Sequence, residues 1–109
     1  MIDDSYRLRY LPLFFDDVSN AASYIKNELS DPKAANDLID AVEGAILERL
    51  PVCERFEPYR SKKERKYPYY RIYVKNYVVY YVVIDDEGTD KIMEVRRLLY
   101  KRQNREQQI

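Results

Sequence analysis

"YPYYRIYVKNYVVYYVVIDD", residues 67–86, holds seven of the chain's twelve tyrosines, and its reading decides the architecture. Lys75 and Asn76 separate two runs rich in Tyr, Val and Ile, "YYRIYV" (69–74) and "YVVYYVVI" (77–84), the composition of pleated, half-buried strands. A two-residue connection makes them a hairpin, with Val74 opposite Tyr77 and Ile72 opposite Val79. Lys75 would then need an uncommon positive φ, so a bulged turn is the alternative. Strand side chains alternate between the two faces. One face carries Tyr70, Ile72, Val74, Tyr77, Val79, Tyr81 and Val83; the other carries Tyr69, Arg71, Tyr73, Val78, Tyr80, Val82 and Ile84. An unpaired guanidinium is costly beneath apolar helices. The first face is therefore expected to meet the core and the face with Arg71 to be the more open.

Downstream, "DDEGTD" reads as a turn and "KIMEVRRLLY" (91–100) as a third strand, which completes a meander. The remainder, residues 101–109, is a polar tail. Upstream, "PVCERFEPYRSKKERKYP" (51–68) has three prolines and no sustained period, which predicts a long exposed loop. Its basic cluster, Arg60, Lys62, Lys63, Arg65 and Lys66, reads first as a solvated lid and second as a polyanion contact.

Two helices precede that loop. In "LFFDDVSNAASYIKNEL" (13–29), Phe14, Phe15, Val18, Ala22, Ile25 and Leu29 recur at helical spacing. Ser30 or Asp31 can cap a second helix that has Pro32 at its first position. That helix, "KAANDLIDAVEGAILERL" (33–50), aligns Ala35, Leu38, Val42, Ala45, Ile46 and Leu50 and stops before Pro51. Before the first helix, Tyr6, Leu8 and Tyr10 alternate with Arg7 and Arg9 as a short strand ended by Pro12. The expected fold is α+β: a strand, a helical hairpin and a three-stranded meander, giving a mostly antiparallel four-stranded sheet with two helices on one face. The pattern leaves the place of the first strand open.

The length of 109 residues suits a single domain over 1–109, and the balance of 46% hydrophobic and 35% charged residues is that of a folded soluble protein. Neither a membrane span nor a signal peptide is read in the sequence, so a cytoplasmic location is expected. With no histidine and one cysteine, the chain has neither a zinc-site pattern nor His-based acid–base machinery, and no metal or cofactor is expected. Cys53 reads as a partly buried, unreactive loop residue. The zero net charge conceals a division, because residues 1–58 carry −6 and residues 59–109 carry +6. The second half is the candidate anion-facing half.

The open face of the hairpin gathers Tyr69, Tyr73 and Tyr80 around Arg71, with Arg96 or Arg97 as neighbours and Arg102 beyond. Rings can stack on bases while arginines hold phosphates, and the same composition can clasp a partner protein. The alternative for Arg96 and Arg97 is pairing with carboxylates such as Asp85, Asp86 or Glu94, with Arg102 solvating the tail.

The segments "YRLRYLPLFFDDVSNAASYI", "PKAANDLIDAVEGAI", "YYRIYVKNYVVYYVV" and "EVRRLLYKRQN", in this order, resemble the RelE/ParE superfamily of type II toxin–antitoxin toxins. The resemblance covers nearly the whole chain. It implies a growth-arresting toxin, of the kind tied to plasmid stabilisation, held inactive by a cognate antitoxin in a homodimer or heterotetramer. RelE-type members cleave ribosome-bound mRNA with basic residues on the open sheet face. Against that pattern Arg71 and Arg102 match, and Tyr100 could stand in for a late tyrosine. Tyr73 replaces a lysine, however, and Val78 an arginine. "YVVYYVV" looks instead like the ParE form, whose members poison DNA gyrase without catalysis of their own. The resemblance thus leans towards a gyrase inhibitor. The alternatives are a ribosome-dependent mRNA endoribonuclease, with Arg71, Arg102 and Tyr100 as its catalytic candidates, and a non-toxic binding module.

Overall fold

The computed structural model describes residues 6–59, 66–85, 88 and 90–103. Strand β1 (Tyr6–Tyr10) is followed by helix α1 (Pro12–Ser23), which runs on as a π-helical turn over Tyr24–Glu28. Helix α2 (Pro32–Arg49) ends in a 3₁₀ turn at Leu50–Val52, and the meander β2 (Tyr70–Val74), β3 (Tyr77–Ile84) and β4 (Lys91–Tyr100) completes the fold. As anticipated, Asp31 caps α2: its Oδ1 accepts the Ala34 amide at 3.0 Å, and Pro32 takes the first turn, where no amide donor is needed.

The four strands lie in the order β1-β4-β3-β2. β2 and β3 pair antiparallel in the predicted register, Val74 to Tyr77 and Ile72 to Val79, and β3 pairs antiparallel with β4. The first strand lies beside β4 and runs parallel to it, so the sheet is mixed. A parallel neighbour requires a long crossover, and the helical hairpin supplies it. Helix α1 lies against β4 and α2 against β2.

The predicted core face of the hairpin is the core. Ile72, Val74, Val79, Tyr81 and Val83 pack with Met93, Val95 and Leu98 of β4 and with Phe14, Ala21, Leu38, Val42 and Ile46 of the helices. The stripe on α2 is as expected. That on α1 is altered: Ala21 rather than Ala22 is buried, and Phe15 and Leu29 are exposed. The π turn explains Leu29, because its extra residue per turn shifts the apolar period away from the core.

Tyr81 ties this core to the segment after α2. Its hydroxyl donates to the Cys53 carbonyl at 2.7 Å and accepts from Arg49 Nη1 at 3.0 Å. Arg49 Nη1 also reaches the Arg71 carbonyl at 3.2 Å, and its guanidinium lies 3.5 Å from the centre of the Phe56 ring. Burial pushes both the Tyr81 hydroxyl and the Cys53 thiol up to about 12. Cys53 is thus a neutral core thiol without nucleophilic character at physiological pH.

The opposite face of the sheet departs from expectation. Tyr69, Val78, Tyr80, Val82 and Ile84 are buried there with Ile92 and Leu99. The segment predicted as a long exposed loop accounts for much of this, because Tyr59 and Tyr67 pack onto the face. The Tyr59 amide donates to the Tyr69 carbonyl in an antiparallel bridge. The Tyr59 and Tyr69 rings both meet Tyr80 edge-on, with centroids 6.0 and 6.1 Å away. Apolar strand residues on both faces demand two covers, and the chain provides the second one itself.

Candidate functional site

What remains accessible on that second face is a rim of arginine and tyrosine around a closed apolar centre. Arg71, on β2, holds its guanidinium 4.9 Å from the Tyr59 ring centre and 5.8 Å from that of Tyr73. Tyr73 is 61% exposed, the most accessible ring on this face. Of the expected groove tyrosines, therefore, only Tyr73 is open to a partner, whereas Tyr69 and Tyr80 form its floor.

A bulge in β4 places the next arginines. Tyr80 pairs with Arg97 but Tyr81 with Val95, so Arg96 is the extra residue. Arg96 Nε donates to Glu94 Oε1 at 2.7 Å, and its guanidinium sits 5.7 Å from the Tyr69 ring centre. The other oxygen of Glu94 accepts from Arg9 Nε at 2.8 Å and Arg9 Nη2 at 2.6 Å. Burial alone would raise the Glu94 pKa, but hydrogen bonds from Arg96 and Arg9 outweigh it and hold the carboxyl below its usual range. A carboxylate locked in this way is an anchor and not a proton acceptor.

Arg97 is engaged elsewhere. Its Nε and Nη2 meet Asp17 of α1 at 2.7 and 3.0 Å, and the same carboxylate accepts the Leu98 amide at 3.0 Å. Asp17 thereby caps the bulge, and the hydrogen bond that Arg97 donates to Asp17 raises the Arg97 pKa despite partial burial. Arg97 is thus a pin between helix and sheet.

The three residues proposed for nuclease chemistry are not brought together by the sheet. Tyr100 packs against Tyr77, with centroids 5.6 Å apart, and Tyr77 borders the helix-side core. Arg71 stands by Tyr59 and Tyr73 on the other face. Arg102 is exposed in the turn after β4. Of the basic cluster, Arg60, Lys62, Lys63 and Arg65 lie outside the described residues; Lys66 is exposed, its ammonium 5.3 Å from the Tyr67 ring centre.

Sequence reasoning did not give Arg9 a place at this site. The signal was the lone glutamate inside the otherwise apolar run "KIMEV" together with arginines alternating along β1. A buried carboxylate requires a cation, and once β1 is known to adjoin β4, Arg9 is opposite Glu94. Arranged in this way, the rim can hold anions or carboxylates and stack planar groups.

Residues 8–104 match the family model described as ParE toxin of type II toxin-antitoxin system, parDE. The chain belongs to the ParE toxin family. It is a type II toxin–antitoxin toxin, and its family implies an antitoxin protein as partner. No curated protein sequence matches it significantly. Among the described residues, no helix of this ParE-family chain is long and apolar enough to cross a membrane.

Proposed function

We propose that this toxin arrests growth by binding DNA gyrase through the Arg71–Tyr73 rim and its arginine neighbours, without bond-breaking chemistry of its own. The observation that carries this reading is Val78. It occupies the strand position where an RNA-cleaving relative would present a charge, and it is fully buried beside Tyr80. A cation in that place would have to be desolvated without a partner. The separation of Tyr100 from Arg71 by the sheet favours the same conclusion.

Purified protein is expected to inhibit gyrase supercoiling or to trap cleaved DNA. Arg71→Ala combined with Tyr73→Ala should weaken that effect by about tenfold or more, the range of an arginine–aromatic hot spot. Both side chains are partly or largely exposed, so the melting temperature should hardly move. Gyrase unaffected at high toxin excess would overturn the reading.

Ribosome-dependent mRNA cleavage is the second reading, supported by exposed Arg102, by Arg71 and by the +6 charge of residues 59–109. It predicts new mRNA ends within codons, detectable by primer extension after induction. A non-toxic binding module would give neither effect and no growth defect.

A further inference from the structure

The second face of the sheet carries more positive charge than the Arg71–Tyr73 rim alone. Tyr6, Leu8 and Tyr10 of β1 pack on the helix-side core, so alternation turns Arg7 and Arg9 to the opposite face. Glu94 is the only carboxylate in the four strands, and it is committed to Arg9 and Arg96. Arg7 is exposed and, like Arg71, forms no ion pair among the described residues. Four guanidinium groups against one carboxylate leave three positive charges unanswered on this side of the strands.

Printed side by side, the contacts cross the whole sheet. Arg9 meets Glu94, and Glu94 meets Arg96, whose guanidinium lies over Tyr69. Tyr69 and Tyr59 stand edge-on to Tyr80, and Arg71 lies beside the rings of Tyr59 and Tyr73. Strand order puts Arg9 at one edge and Arg71 at the other, three interstrand spacings or roughly 14 Å apart. A stacked nucleic-acid strand advances ~3.4 Å per nucleotide, so this span matches about four phosphates. Guanidinium groups chelate phosphate oxygens, and Glu94 and the tyrosine rings orient them here before any ligand arrives. The exposed ring of Tyr73 offers a face on which a base can stack. A polynucleotide carries one charge at every step, which suits a line of cations better than the scattered carboxylates of a protein surface, and a duplex would keep its bases away from Tyr73.

We infer that this face grips a single strand of DNA, with phosphates on Arg7, Arg9, Arg96 and Arg71 and a base on Tyr73. The inference rests on the reading of the rim as the surface presented to gyrase, whose substrate is DNA, and adds that the toxin touches the nucleic acid and not the enzyme alone. Fluorescence polarisation with a labelled single-stranded dodecanucleotide, in the absence of gyrase, tests it on the full chain. Affinity should fall with salt on a double-logarithmic plot with a slope of about −2 to −3, the value for three or four phosphates contacted in a single strand. Arg7→Ala and Arg71→Ala should each reduce that slope by roughly 0.7. Tyr73→Ala should weaken binding about fivefold or more, and Tyr73→Phe should not. Lys26→Ala, the same loss of charge on the helical layer, should change neither slope nor affinity. Arg7, Tyr73 and Lys26 are exposed, so unchanged circular dichroism will separate lost contact from lost fold. An RNA of the same sequence should bind no more tightly. Absence of binding at low salt, a slope near zero, indifference to Arg7→Ala and Tyr73→Ala, or a preference for RNA overturns the inference. Gyrase inhibition by a chain that ignores the oligonucleotide overturns this inference alone, and oligonucleotide binding without gyrase inhibition overturns the gyrase reading alone.

Discussion

At the scale of single residues, two buried polar groups do most to distinguish this chain from a generic tyrosine-rich sheet. The Tyr81 hydroxyl joins the Cys53 carbonyl to Arg49. Tyr81→Phe removes it and leaves the Cys53 carbonyl without this donor, while Arg49 keeps the Arg71 carbonyl, at a cost of about 1–3 kcal/mol, the usual penalty for an orphaned buried group. Urea unfolding should show a lower midpoint with an unchanged slope. Glu94 is the second. Because its folded pKa is depressed, its stabilising contribution is complete above the ordinary glutamate pKa near ~4.3 and is lost as pH falls through the lower folded value. Glu94→Gln should therefore be less stable than the parent at neutral pH, by roughly 1–3 kcal/mol. The gap should close below about pH 4, which thermal melts across pH will show. Alternation together with Arg71 on the opposite face puts Tyr81 in the core from sequence, whereas the Glu94 clamp was only half legible. Its partner Arg9 is far away in sequence and becomes a neighbour only through the parallel pairing of β1 with β4.

At the scale of elements, the β2–β3 hairpin was the most readable part, because a two-residue connection and period-two alternation leave one register. Its turn is also where local preference and structure conflict. Lys75 at φ 54° is in the region that glycine and asparagine tolerate best. Lys75→Gly should raise stability by about 0.5–1 kcal/mol, read as a higher melting temperature, because the strain of a left-handed side chain outweighs the added freedom of the unfolded chain. The segment before the hairpin was the least readable. Its prolines and charges pointed to an exposed loop, yet Tyr59 and Tyr67 turn inward. Nothing local announces such a cover; the clue was the hairpin itself, whose second face is too apolar at Val78, Val82 and Ile84 to remain wet.

At the scale of the whole molecule, fold class and helix-side core followed from the order and periodicity of the elements. The reach of the open site did not, since it depends on which parts of the chain lie over the second face. The arrangement has a further property. β4, the last of the described elements, is an inner strand with β1 on one side and β3 on the other. A chain ending before Lys91 lacks the neighbour that both require, along with Met93, Val95 and Leu98 from the core. A fragment covering residues 1–90 should lack cooperative unfolding and be cut rapidly by protease, which limited proteolysis beside the full chain will reveal. The consequence reaches into synthesis. While the protein is being made, its two halves have no common centre, and the sheet that carries the arginine–tyrosine rim assembles only when the closing strand emerges. Until β4 is delivered, therefore, a growing polypeptide has no formed rim to present to a target.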